Sequence, residues 1–230
     1  MKKIKNNYRY FSRFELILWL SSIVLVTCAF LIFDRSNYLT LIASLLGATA
    51  LIFCAKGNPF GQLLMVSFSL LYGYISYTYS YFGEMITYLC MSAPMALVAL
   101  ISWFKNPYGK SHAVVKINRI RKNEVWLMLS LCVIVTIAFY FILKAFGTAN
   151  LIPSTISIST SFIAVYLTFR RSPFFALAYA INDVILIVLW VLATIDNVSY
   201  VSMIVCFIMF LANDLYSFIN WLRMEKSQQE

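Results

Sequence analysis

The chain has 230 residues, of which 62% are hydrophobic, 17% aromatic and only 12% charged. Soluble domains carry about half apolar and about a quarter charged residues, so a soluble globular fold is excluded: too few polar side chains remain to clothe such a core, and lipid removes the difficulty. The net charge of +9 raises nucleic acid as a partner, but the basic residues sort by side of a membrane and no nucleic acid is expected.

A spanning helix needs about 20 mostly apolar residues. Eight segments qualify: 15–33, 38–55, 59–81, 85–104, 125–146, 151–169, 173–194 and 198–222. The expectation is an all-α integral membrane protein whose residues 1–230 form one membrane domain. Span 15–33 follows Lys2, Lys3 and Lys5 without a small-residue cleavage site, so it reads as a retained helix and not a removed signal peptide. Residues 38–104 make a triplet of spans with short turns. The long connection KNPYGKSHAVVKINRIRKNE (105–124) leads to a linking span, 125–146, and 151–222 make a second triplet.

Orientation follows from counting Lys and Arg by side. With the N-terminus in the cytoplasm, sixteen of the eighteen fall inside, six of them in the 105–124 connection, and only Arg35 and Lys144 fall outside. That asymmetry satisfies the positive-inside rule with an even number of spans and both termini cytoplasmic. The triplets also repeat weakly. KGNPF (56–60) and RRSPF (170–174) are basic turns that open a helix with Pro-Phe, each followed by a turn with an acidic residue (Glu84, Asp196) and a helix ending in Ser102-Trp103 or Asn220-Trp221. One linking helix between the triplets makes them parallel repeats, and substrate sites in such folds lie at the repeat interface near the midplane.

Ionisable and amide side chains inside spans are costly and mark cavities or helix contacts. The seventh span holds Tyr179, Asn182, Asp183 and Trp190 on one broad helical face; the eighth holds Asn213, Asp214, Tyr216, Asn220 and Trp221. If the two faces meet, four amide or carboxylate groups line one cavity beside aromatic rings, suited to a polar heteroaromatic ligand, neutral or cationic. The alternative is that these groups are interhelical hydrogen-bonding glue. Gln62 and Thr87 are further candidates, against readings as an interfacial glutamine and a helix-bonded threonine. Tyr72 is the deepest of a tyrosine series otherwise read as an interfacial belt. Pro94 predicts a kink or local unwinding. His112 sits in the basic connection, where a solvated role is expected. The cysteines Cys28, Cys54, Cys90, Cys132 and Cys206 lie in apolar runs without CxxC spacing, the pattern of buried reduced thiols. No HExxH, GxSxG or Walker loop is present, so neither enzyme activity, metal nor cofactor is expected.

The segments LIASLLGATALIFCAKGNPFGQ, SLLYGYISYTYSYFGEMITYL, AYAINDVILIVLW and CFIMFLANDLYSFINW, in that order, resemble the PnuC-type vitamin transporters over roughly residues 38–224. These are bacterial membrane proteins related in architecture to the SWEET sugar transporters. The resemblance implies a SWEET-like 3+1+3 arrangement with 15–33 as an extra helix, in a bacterial plasma membrane. It implies uptake of nicotinamide riboside by facilitated diffusion, with a cytoplasmic kinase trapping the vitamin, and it makes a homotrimer an assembly to test. The family asparagines that contact the nucleoside correspond to Asn182 and Asn213. The family's WxxW pair is replaced by Phe175 and Ala178, with Tyr179 adjacent to keep a stacking ring, and Asp183 and Asp214 stand where some relatives carry apolar or small residues. Thiamine, riboflavin or another nucleoside is the alternative cargo, with proton coupling through Asp183 or Asp214 as a variant. A membrane-embedded enzyme or an assembly subunit is the competing class.

Overall fold

The computed structural model describes residues 10–78, 82–109, 113–148, 150–195 and 197–230. Lys2, Lys3, Lys5, Arg9, Tyr79, Tyr81, Lys110, His112 and Asp196 lie outside the described residues. The helices are α1 (Arg13–Phe33), α2 (Tyr38–Ala55), α3 (Pro59–Thr78), α4 (Phe82–Ile86), α5 (Ala93–Lys105), α6 (Lys122–Ala145), α7 (Leu151–Phe169), α8 (Phe174–Thr194) and α9 (Val201–Gln229). Among the described residues, seven helical segments are long and apolar enough to cross a membrane. The α3 helix is long enough, but its glycines, serines, tyrosines and Gln62 lower its hydropathy below the others.

Local chemistry explains where the helices begin and end. Ser12 and Glu15 form a reciprocal capping box at the start of α1. The α2 helix ends where Gly57 takes φ +65° and Asn58 N–H reaches back to the Phe53 carbonyl. The α7 helix ends the same way, with Arg171 at φ +58° and Ser172 N–H on the Leu167 carbonyl. Both are six-to-one closures of a helix end, and the left-handed position that favours glycine is held by an arginine in the second. A π-helical turn, Thr87–Ser92, joins α4 to α5 immediately before Pro94. Proline cannot donate to the preceding turn and crowds it, and a widened turn relieves both problems. The expected unwinding is therefore found as a wide turn.

Six helices form a closed ring in the contact order α2, α3, α5, α7, α8, α9 and back to α2. The α1 helix packs outside the ring against α2 and α9, and α6 packs outside against α7. The ring is clasped at one end by side chains that bond to the end of a helix from the other half. Trp103 Nε1 donates to the Thr168 carbonyl and Ser102 Oγ to the Phe169 carbonyl. Trp221 Nε1 donates to the Cys54 carbonyl and Asn220 Nδ2 to the Ala55 carbonyl. The Trp103 and Trp221 rings lie 5.3 Å apart, and Phe175 packs edge-on against Trp221 at 4.8 Å. All three side chains are essentially inaccessible.

The 105–124 connection belongs to this clasp and is not a free loop. Val115 N–H bonds to the Gly57 carbonyl and Asn118 N–H to the Arg171 carbonyl, so one strand of chain ties both turns. The α9 helix runs past the expected end at 222 because its tail holds that chain: Gln228 pairs with Ile117 and Val115, and Glu225 with Arg119. Two cysteine expectations fail. Cys28 and Cys90 are exposed on outer helix surfaces, whereas Cys54, Cys132 and Cys206 are buried.

Candidate functional site

A cavity of about 530 Å³ occupies the middle of the ring. It extends from Cys54, Gln62 and Phe175, beside the clasp, to Phe146, Thr148, Asn150, Asn197 and Tyr200 in the connections at the opposite end. The clasped end is sealed by indole rings and backbone-directed bonds, so the entrance lies at the other end. Ligand sites of this size are usual for drug- or metabolite-sized molecules.

The α8 face reads as the sequence predicts. Phe175, Tyr179, Asn182, Asp183 and Trp190 all line the cavity. Asn182 is 5% exposed, and three hydroxyls of α7 surround its Oδ1: Ser157 at 3.1 Å, Thr160 at 2.8 Å and Ser161 at 3.1 Å. That cradle fixes the plane of the amide and leaves its Nδ2 end for the cavity. Trp190 packs against Tyr200 near the entrance, and Phe175 lies at the floor as part of the clasp. Gln62 also lines the floor, with Nε2 on Cys54 Sγ at 3.3 Å. Thr87 lines the wall through the π-helical turn while its hydroxyl donates to the Gly83 carbonyl.

The α9 face divides. Asp214 lines the cavity, as Asp183 does. Asn213 does not join them. Its Nδ2 donates to Ser22 Oγ of α1 at 2.9 Å and to the Met209 carbonyl at 2.7 Å, and the residue is fully buried in that seam. Tyr216 is also away from the cavity: its hydroxyl donates to Glu15 Oε1 at 2.8 Å, beside the Lys56–Glu15 ion pair. The expectation that all four Asn and Asp groups share one cavity is thus corrected to three. Adjacent residues on a helix point about 100° apart, and α9 is packed on more than one side.

Several lining residues escaped the sequence reading. Glu84 does not sit in a turn but in α4, on the cavity wall, where Tyr72 and Ser76 hydrogen-bond to it. Tyr88, in the π-helical turn, lies 4.4 Å from the Tyr72 ring, and Phe68, Phe207 and Phe210 extend this aromatic wall. Gly73 lets the turn approach, since a Cβ there would meet Leu89 at 2.5 Å. Among the described residues, those lining the cavity include three carboxyl groups, Glu84, Asp183 and Asp214, and no Lys, Arg or His. No cluster of His, Cys, Asp and Glu that could hold a metal ion is found among the described residues.

Membrane-length helices ringed about a metabolite-sized cavity, sealed at one end, define a solute transporter. Residues 37–223 match the nicotinamide mononucleotide transporter family, and the chain belongs to it. It is a multi-pass membrane transporter and not an enzyme. A relative from Neisseria mucosa, the nicotinamide riboside transporter PnuC, is 25% identical over 220 residues, which cover 94% of this chain and 83% of the relative. The crystal structure of the vitamin B3 transporter PnuC superimposes with a TM-score of 0.81 at 23% identity, over 95% of this chain and 94% of that one.

Proposed function

We propose that the chain carries nicotinamide riboside across the membrane. The observation that decides for this cargo is the charge of the cavity wall: three carboxyl groups and no basic side chain among the described residues that line it. The relatives' names offer a riboside and a mononucleotide. They differ by a phosphate, which such a wall repels with no Lys or Arg to offset its desolvation. The riboside's pyridinium ring is cationic and suits both the carboxyls and the aromatic wall. The Asn182 amide, held by α7, supplies a directed donor for the carboxamide or a ribose hydroxyl.

The same wall supports facilitated diffusion with trapping. A cytoplasmic kinase that phosphorylates the riboside makes a product the cavity rejects, so the cargo accumulates without energy input from the transporter. We place the clasped end on the cytoplasmic side of a bacterial plasma membrane, with both termini there, because the basic turns and the 105–124 connection gather at that end. The α3 helix is then the eighth span, since it lies between α2 and α5 in the ring. A 3+1+3 arrangement, with α1 extra and α6 linking, accounts for the reciprocal Trp103 and Trp221 bonds.

Purified protein in liposomes, given labelled nicotinamide riboside, nicotinamide mononucleotide, thiamine and riboflavin in turn, tests the cargo. Uptake of the riboside with exclusion of the mononucleotide is expected. Uptake of the mononucleotide at an equal rate, or of thiamine or riboflavin in place of the riboside, overturns the reading.

A further inference from the structure

The two seams where the halves of the ring meet are built alike at the clasped end but are covered differently. Lys56-Gly57 ends α2 beside α9, and Arg170-Arg171 ends α7 beside α5. The α1 helix lies over the first seam, against both α2 and α9, and its Glu15 carboxylate pairs with Lys56. The α6 helix supplies a matching carboxylate, Glu124, to Arg170, but it packs on α7 and does not reach α5. The second seam is left open as a groove of about 440 Å³, with Lys105, Arg170 and Arg171 among its lining residues. Val98 and Ile101 line it one to two turns further into the span, at 42% and 46% exposure. Arg171 enters from a left-handed position, φ +58°, where the first turn has Gly57. Its guanidinium bonds to neutral groups, the Ser102 hydroxyl at 2.9 Å and the Lys116 carbonyl at 3.1 Å. Among the described residues no carboxylate pairs with Arg171 or Lys105. With Arg170 neutralised by Glu124, the groove keeps two uncompensated positive charges beside an apolar trough.

We propose that this groove binds one anionic phospholipid, its phosphate held by Lys105 and Arg171 and its acyl chains laid over Val98 and Ile101. The lipid does at the α5–α7 seam what α1 does at the α2–α9 seam: it brings a negative charge to a basic turn and covers the joint with apolar surface. Basic pockets between helices at the ends of spans take up phosphate headgroups in this way, and the guanidinium fork suits phosphate oxygens. A zwitterionic lipid offers the same chains and phosphate but brings its own cation, so the groove selects by net charge. Lipid binding here is independent of which cargo the cavity carries.

The probes are phosphatidylglycerol and phosphatidylcholine with the same acyl chains, titrated onto the full chain in a neutral detergent and counted by native mass spectrometry. The wild type is expected to prefer phosphatidylglycerol by about 25-fold, from about fivefold for each unpaired cation. Lys105→Gln should lose about fivefold of that preference; the residue is exposed and its side chain makes no bond among the described residues, so the fold is kept. Arg171→Gly, which the left-handed turn favours, should lose about as much, and the double variant should show no preference. Lys226→Gln, on α9 away from both α5 and α7, should change nothing. A wild type that does not discriminate, or a preference that survives Lys105→Gln and the double variant or falls equally in Lys226→Gln, overturns the proposal. Displacement of the lipid by an equal amount of sn-glycerol 3-phosphate, which has the phosphate without the chains, makes the groove a site for free phosphate and overturns it too. So does an oligomer that carries no tightly bound lipid, since a second copy of the chain is then the cover.

Discussion

The dipeptide Asn-Asp occurs on α8 and again on α9, and the two copies end in different surroundings. On α8 both side chains turn to the cavity, and three hydroxyls of α7 hold the amide. On α9 only Asp214 reaches the cavity, while Asn213 bonds to Ser22 of the helix outside the ring. The α8 helix has α7 and α9 as ring neighbours and nothing behind it that asks for a polar bond. The α9 helix has α8, α2 and also α1. The same local sequence therefore stands in two settings, one on the cavity wall and one in the seam that holds the bundle together.

The comparison can be broken most forcefully at Asn182. Replacing it with leucine removes the cavity donor and the acceptor that Ser157 and Ser161 share with Thr160, which keeps carbonyl partners; the expected cost is about 2–3 kcal/mol, or about 30- to 160-fold in riboside affinity. Calorimetry showing unchanged affinity would make that amide mere glue. Asn213→Leu tests the other side. It should lower thermal stability, by about 1–2 kcal/mol for the bond to Ser22, with only a small change in affinity; a loss of binding as large as at Asn182 would erase the distinction. Further along α9, Trp221→Phe deletes the bond to the Cys54 carbonyl and loosens the clasp by about 1 kcal/mol. The rate at which a maleimide reaches Cys54, in a Cys28→Ser and Cys90→Ser background, should rise several-fold. An unchanged rate would mean that ring packing alone seals the floor. The smallest effect is expected at Tyr216→Phe, which removes one of several donors to Glu15: a slight drop in melting temperature and no change in uptake. A clear loss of uptake there would return Tyr216 to the path of the cargo.

The α8 half of this comparison was legible because Tyr179, Asn182, Asp183 and Trp190 recur at helical spacing on one side of a helix that is otherwise apolar. The α9 half was not. Its polar residues lie on several sides, and deciding which side meets the cavity requires knowing where α1 docks. The buried side of that helix, Glu15, Ser22, Val26, Ala29 and Phe30, mixes polar and apolar residues, and its lipid side is no more apolar, so no hydrophobic stripe marks the docking face. The cradle on α7 was hidden for a different reason: Ser157, Thr160 and Ser161 are residue types that commonly bond to their own helix in membranes, so their turn toward Asn182 emerges only from packing. Glu84 was hidden by position, near the boundary of a span, where an acidic residue reads as a loop. The clasp was partly visible, in the recurrence of Pro-Phe turns and terminal tryptophans. What the recurrence could not tell is that each tryptophan bonds to the opposite half of the ring.

The helix outside the ring has a mechanical consequence. Through Glu15, α1 holds Lys56 at the end of α2 and Tyr216 of α9, and Trp19 adds a bond to Thr49 of α2. The junction of α2 with α9 is thus bound on its outer surface. At the other junction of the two halves, α5 with α7, the outlying α6 reaches α7 and touches the first half only at α4. A transporter whose halves rock apart would then open like a book, with α1 as the spine and the α5–α7 edge as the margin that parts away from the clasp, where Ser102 and Trp103 hold it. A cross-link across α2 and α9 should leave such a cycle running, and one across α5 and α7 should stop it.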